Sequence, residues 1–105
     1  ILRIISDIKI SKEGCDYFPY QRILKRNSKK SYLSDIQNII FSNLIISTSG
    51  INKDKLYRLI WKKDKDISIN KLDTHLTNLK NQLKKDISIN VNFQSSDKNL
   101  ILLIN

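Results

Sequence analysis

The chain has 105 residues, with 19 Lys and Arg against 10 Asp and Glu, a formal net charge of +9 and a pI of about 9.8. That length holds one small domain over 1–105; one Cys excludes an internal disulfide, and one His beside it leaves a structural zinc site short of ligands. No apolar run approaches the roughly 18 residues of a membrane span, and so basic a chain points to a polyanionic partner, nucleic acid before an anionic membrane surface.

Ile, Lys and Asn supply 45 of the 105 residues, while Ala is absent. All three have A/T-rich codons, so the excess of Lys over Arg carries no functional weight. The net sign does, because Asp is favoured by the same codons and is still outnumbered. No basic flank leads into an apolar stretch with a small-residue cleavage site, so no secretory signal is expected. A reducing cytoplasm suits the lone Cys15, which reads as a small residue tolerated near a sheet.

The first third reads as short strands: Ile4 and 8–10, then a turn at 11–14, then Tyr17 to Tyr20, with Pro19 arguing for an edge or a turn. Ile23 and Leu24 follow, then a turn signal at 27–30 and a last strand through Tyr32 to Leu33. A small antiparallel sheet of three or four strands is expected over 1–33.

From Ser34 the period changes. Ser34 and Gln37 have capping-box spacing, which predicts a helix to about Ile46 that buries Ile36, Ile39, Ile40, Phe41 and Leu44 and ends at 47–50. Asn52 is the next N-cap, with Asp54 in the first turn and Leu56, Leu59, Ile60 and Trp61 as the apolar face. Trp61 reads as a core plug. The all-charged tract 62–66 reads as a solvated loop.

Ile69, Leu72, Leu76, Leu79 and Leu83 are spaced 3, 4, 3, 4 and fall within about 80° of arc on a helix. The opposite face centres on Asn70, Thr74, Asn78 and Asn81, with Lys71, Thr77, Lys84 and Lys85 beside them and no acid among them. The hexapeptide KDISIN occurs at 65–70 and again at 85–90. The first copy runs into helical spacing. The second continues through Ile87, Ile89, Val91 and Phe93 at period two, which predicts a strand. A turn at 95–99 and a strand over 100–104 complete a hairpin. The expected fold is α+β: a small N-terminal antiparallel sheet (1–33), a three-helix core (34–85) and a C-terminal β-hairpin wing (86–105), the order of a winged helix-turn-helix.

Three segments carry a family resemblance. Leu33, Ser34 and Gln37 resemble the L-[ST]-x-x-E opening of the first helix in OmpR/PhoB-type winged-helix DNA-binding domains. Ile51, Asn52, Leu56, Leu59, Ile60 and Trp61 resemble the V-S-R-x-x-L-L-x-x-V-W second helix. Leu72, Asp73, His75, Leu76, Leu79, Lys80 and Leu83 are similar to V-D-x-H-I-x-x-L-R-x-K-L in the recognition helix. The resemblance spans about half the chain. It implies a bacterial, cytoplasmic, nucleoid-associated transcription regulator, the output half of a two-component response regulator, with double-stranded DNA as partner and transient homodimers on tandem sites. It also implies an upstream receiver domain, for which 1–105 leaves no room, and contact with RNA polymerase through loop 62–66. The chain departs from the family pattern where Asn78 and Lys80 stand for Arg, where Lys62 replaces the Gly after Trp61, and where 89–104 lacks the G-x-G-Y element, so that a longer polar turn is expected in the wing.

In that geometry Asn70, Thr74, Asn78 and Asn81 are the candidate base contacts. Asn pairs bidentately with adenine, Thr offers a methyl to thymine, and Arg, the favoured reader of guanine, is missing from the face, so an A/T-rich site is expected. Lys53, Lys55, Lys71, His75, Thr77, Lys80, Lys84, Lys85 and Lys98 are candidate phosphate contacts. His75 reads first as a boundary residue packed beside Leu72 and Leu79, and Asp73 as a partner for a neighbouring base such as Lys80. No nucleophile elbow, Walker loop or HExxH pattern occurs, so neither an enzyme nor a cofactor is expected. Two other readings stand beside this one: a degenerate winged helix used for protein contact, and a non-specific nucleic-acid binder.

Overall fold

The computed structural model describes residues 8–47, 49–96 and 98–104. The strand reading at Ile4 lies outside them, as do the side chains of Ile69 and Ser96. Four strands, β1 (Ile10–Lys12), β2 (Cys15–Phe18), β3 (Ile23–Arg26) and β4 (Lys29–Tyr32), form an antiparallel sheet in sequence order. Helix α1 (Asp35–Ile46), strand β5 (Ile51–Asn52), α2 (Lys53–Ile60) and α3 (Ile69–Ile87) follow, then the hairpin β6 (Val91–Ser96) and β7 (Asn99–Ile104).

Alternation decides which face of the first sheet is buried. Cys15, Tyr17, Leu24 and Ser31 point inward, and cross-strand pairing of Tyr17 with Leu24 and of Leu24 with Ser31 sets three of them in one row. The turns are tighter than the sequence suggests. Glu13 and Gly14 alone join β1 to β2, both at positive φ, so Ser11 and Lys12 are strand rather than turn. Likewise Lys29 and Lys30 belong to β4, and only Asn27 and Ser28 turn the chain.

Helix α1 begins as its cap predicts: Ser34 Oγ accepts from the Gln37 amide at 3.2 Å and Gln37 Oε1 accepts from the Ser34 amide at 2.9 Å. Ile40, Phe41, Leu44 and Ile45 are buried, whereas Ile36 and Ile39 are half-buried. Gly50 then lets the chain pass against the wing. At φ 94° its missing Cβ would stand 2.8 Å from Ile101, and this close approach allows Ile51 to pair with Leu100 as the unforeseen strand β5. The second sheet therefore has the order β5-β7-β6.

Asn52 caps α2, accepting from the amides of Asp54 and Lys55. The apolar face differs from the expected one. Tyr57 and Leu56 are buried, and Leu59 is 38% exposed. The helix is only two turns long, and Tyr57 packs its ring inward while its hydroxyl reaches Asp64 in the following loop.

Helix α3 buries Leu72, Leu76, Leu79 and Leu83, and continues the stripe to Ile87, two residues beyond the expected helix end at 85. Ser88 ends it in the left-handed conformation, φ 57°, and the strand starts only at Val91, so Ile87 is helix rather than strand. Ile87 lies 18 residues after Ile69, five whole turns at 3.6 residues each, which returns it to the same face. The wing is also tighter than expected. Of the expected turn at 95–99, Ser95, Ser96 and Asn99 are strand, with Ser96 paired to Asn99 and Lys98 at φ 68°, while Asp97 lies outside the described residues. Among the described residues no helix is long and apolar enough to cross a membrane.

Candidate nucleic-acid interface

A side-chain network fixes the roll of α3. Gln82 Nε2 donates to Ser31 Oγ at 3.0 Å and to the Tyr32 carbonyl at 2.8 Å, and Gln82 Oε1 accepts from Gln37 Nε2 at 2.9 Å. Ser31 Oγ in turn donates to Asp86 Oδ2 at 2.8 Å. These bonds tie α3 to α1 and β4, and they turn Gln82 away from solvent. With the Leu stripe on the core and Gln82 on the sheet, Asn70, Thr74, Thr77, Asn78, Asn81, Lys84 and Lys85 are all exposed. The Thr74 hydroxyl donates to the Asn70 carbonyl at 2.9 Å, which leaves its methyl as the group free for an apolar contact.

The wing meets α3 along a groove of about 240 Å³ lined by Lys53, Asp73, Thr77, Lys80, Asn92 and Ser95, among others. Lys53 closes one end. Its amide donates to the Lys98 carbonyl at 2.9 Å, which sets the start of α2 against the wing turn, and its Nζ lies 3.7 Å from Asp73 Oδ1. Asp73 therefore pairs with Lys53 rather than with Lys80. A spacing of seven residues separates Asp73 and Lys80 by about 10.5 Å along the helix axis, whereas α2 delivers Lys53 alongside. A second recess, lined by Lys80, Asn81 and Lys84 on α3 and by Asn90 and Asn92 on the wing side, continues the groove toward the helix end. Asn90 and Asn92 had no signal in the sequence, because their place beside α3 depends on where the helix stops.

Two of the expected phosphate contacts, Lys71 and His75, lie beside Trp61. Lys71 Nζ sits 4.5 Å from the Trp61 ring centroid and donates to Asp64 Oδ2 at 3.3 Å. His75 is half-buried, its ring 5.5 Å from that of Trp61. Trp61, half-buried rather than a full core plug, also packs on Tyr57 at 4.7 Å. Lys55, Lys80, Lys84, Lys85 and Lys98 are exposed.

Loop 62–66 is pinned rather than freely solvated. The Tyr57 hydroxyl donates to Asp64 Oδ2 at 2.5 Å, and Arg58 donates to the carbonyls of Asp64 and Lys65. The Tyr57 bond and the Lys71 ammonium hold the Asp64 carboxyl below the usual carboxylate range, and the same bond pushes the Tyr57 hydroxyl up. Lys62, Lys63, Lys65 and Asp66 are left exposed on a fixed backbone.

No family model matches the chain, and no curated protein matches its sequence. Among solved structures, the C-terminal domain of the nisin resistance regulator NsrR, a lantibiotic response regulator, matches with a TM-score of 0.69 at 20% identity, over 90% of this chain and 96% of that one. The chain has the fold of a response-regulator C-terminal domain. Coverage this complete takes in the N-terminal sheet and the wing as well as the helices, so the architecture implied by the OmpR/PhoB resemblance is the one observed. Within the response-regulator fold, the network on Gln82 and the Lys53–Asp73 pair are what this sequence uses to set its third helix against the sheet and the wing.

Proposed function

We propose that the chain is a DNA-binding output domain of a transcription regulator, with α3 in the major groove and Asn70, Thr74, Asn78 and Asn81 toward base edges. The observation that carries this reading is the outer face of α3: all four side chains are exposed together, opposite five buried apolar residues. Three exposed amides and a methyl form a surface that reads adenine and thymine, which makes the preferred site A/T-biased. The likeness of fold to a response-regulator C-terminal domain supports the reading.

Phosphate contact falls first to the exposed Lys55, Thr77, Lys80, Lys84, Lys85 and Lys98, since Lys53 is paired with Asp73 and Lys71 and His75 pack on Trp61. Such contacts set register and salt dependence without selecting sequence. The domain acts as a transient homodimer on tandem half-sites, downstream of a receiver domain, and offers the pinned loop 62–66 to RNA polymerase; the reading is non-enzymatic. Titrating salt against binding to a selected A/T-rich duplex and to random duplexes tests it. The selected duplex should hold on to higher salt, whereas equal slopes and equal affinities point to a charge-only binder.

A protein-contact reading has one observation in its favour. Ile8, Tyr20 and Ile46 are exposed around a shallow groove that Ile10 and Pro19 also line. Absence of DNA binding even at low salt would select it.

A further inference from the structure

We propose that the tip of the β3–β4 hairpin is a second contact for the phosphate backbone, beyond the C-terminal end of α3, which extends the footprint past the bases that α3 reaches. This deepens the DNA-binding reading above and rests on it.

The hairpin is fixed at the end of α3. Arg26 Nη1 donates to the Ser88 carbonyl at 2.8 Å, Lys29 Nζ donates to Ser88 Oγ at 3.2 Å, and Ser31 Oγ reaches Asp86. These bonds bring Arg26 and Lys29 from the sheet to the end of the helix whose last turn carries Lys84 and Lys85, and Lys30 follows Lys29 on the other face of the hairpin tip. The four lysines are exposed, and none of them takes part in an ion pair among the described residues. Of the acids near the tip, Asp86 is half-buried and accepts from Ser31, and Asp16 stands across from Lys25.

Capping accounts for part of this cluster, since cations suit the negative end of a helix dipole, but that end is worth only about half a charge. It does not account for Lys30. Lys30 lies on the opposite face of β4 from Lys29 and Ser31, in one cross-strand row with Lys25 and Asp16. That row carries one acid for two lysines, so a polyanion beside the tip meets net positive charge on this face as well. The position fits as well. Nineteen residues make α3 about 28 Å long, against a major groove about 12 Å wide, so a helix whose middle reads bases ends at or beyond the backbone. The partner chemistry is the phosphodiester, so the contact adds affinity without adding sequence preference.

The test uses Lys29→Ala/Lys30→Ala and Lys30→Ala, each bound to an A/T-rich duplex of about one helical turn and to one roughly three turns long. On the long duplex the double variant should lower the slope of log affinity against log salt by about 1.8, and Lys30→Ala, which leaves the Ser88 bonds intact, by about 0.9. On the short duplex both should match the parent chain. Unchanged slopes on the long duplex, with Lys80→Ala lowering the slope as a phosphate contact should, overturn the hairpin contact and leave the DNA-binding reading standing. A parent chain that binds neither duplex at low salt overturns both.

Discussion

Ser68 and Ser88 hold the same place in two copies of one hexapeptide and stand at opposite ends of α3, one as N-cap and the other as left-handed C-cap. Neither follows the usual chemistry of its position. Ser68 makes no side-chain cap bond, and the first turn is closed by the Lys71 amide donating to the Ser68 carbonyl at 3.1 Å. Ser88 occupies a conformation that favours glycine and compensates by accepting from Lys29 and Arg26. Identical local sequence thus starts and stops one helix, and what differs is the surroundings: a loop before the first copy, the sheet beside the second.

Substitution at the three serine caps should therefore give unequal results. Ser34→Ala, which breaks a complete capping box, is expected to lower stability by about 1 kcal/mol. Ser68→Ala should change it by no more than a few tenths of a kcal/mol, because no side-chain bond is lost. Ser88→Val should cost at least about 1 kcal/mol through the left-handed backbone. Urea unfolding of the three variants checks the order.

Gln82→Ala should destabilise by about 1–3 kcal/mol by leaving Ser31 and Gln37 without their partner. Because Gln82 faces the sheet, the DNA affinity of the folded variant at fixed salt should not move. An affinity that fell with Gln82→Ala while the variant stays folded would mean the side chain faces DNA after all.

The fold was largely legible because its signals are local. The Ser34 and Gln37 box and the 3-4-3-4 leucines each place a helix without reference to the rest of the chain. The end of α3 was not legible, since Ile87 satisfies both a helical stripe and a period-two strand, and Ser88 decides between them only through its contacts with β3 and β4. Strand β5 was invisible for the same reason: two residues become a strand only because Gly50 lets them reach Leu100. In the site, the helical wheel already separates the exposed Asn and Thr side chains from the core. What it misses is long-range. Trp61 draws in Lys71 and His75, and Lys53 arrives from another helix to meet Asp73.

Lys71→Ala and Lys80→Ala, alike on paper, should separate. Lys80→Ala is expected to reduce the salt slope by about 0.9, and Lys71→Ala to leave it unchanged while altering Trp61 fluorescence. Equal slope losses for both would return Lys71 to the phosphate contacts.

Asp64 and Tyr17 make stability depend on pH at the acid and alkaline ends. Asp64 has a lowered pKa, so its contribution is present above the ordinary carboxylate value of 3.8 and is lost as pH falls through the lower folded value. Asp64→Asn should accordingly bring its stability closer to that of the parent chain only in acid. Burial pushes Tyr17 up from 10 to about 12, so its contribution is present below pH 10 and is lost as pH rises through 12. Tyr17→Phe should flatten the stability curve in that alkaline window, as measured by unfolding midpoints at a series of pH values.

If the exposed amides of α3 read bases, Asn78→Arg changes which sites are selected from random duplexes when the variant and the parent chain are compared side by side. A/T-biased sites are expected for the parent and, for the variant, a switch to guanine at one position, with discrimination of about 1–3 kcal/mol there and the other positions unchanged. Identical selected sites for the two proteins, or G/C-rich sites for the parent chain, would contradict base reading by these amides.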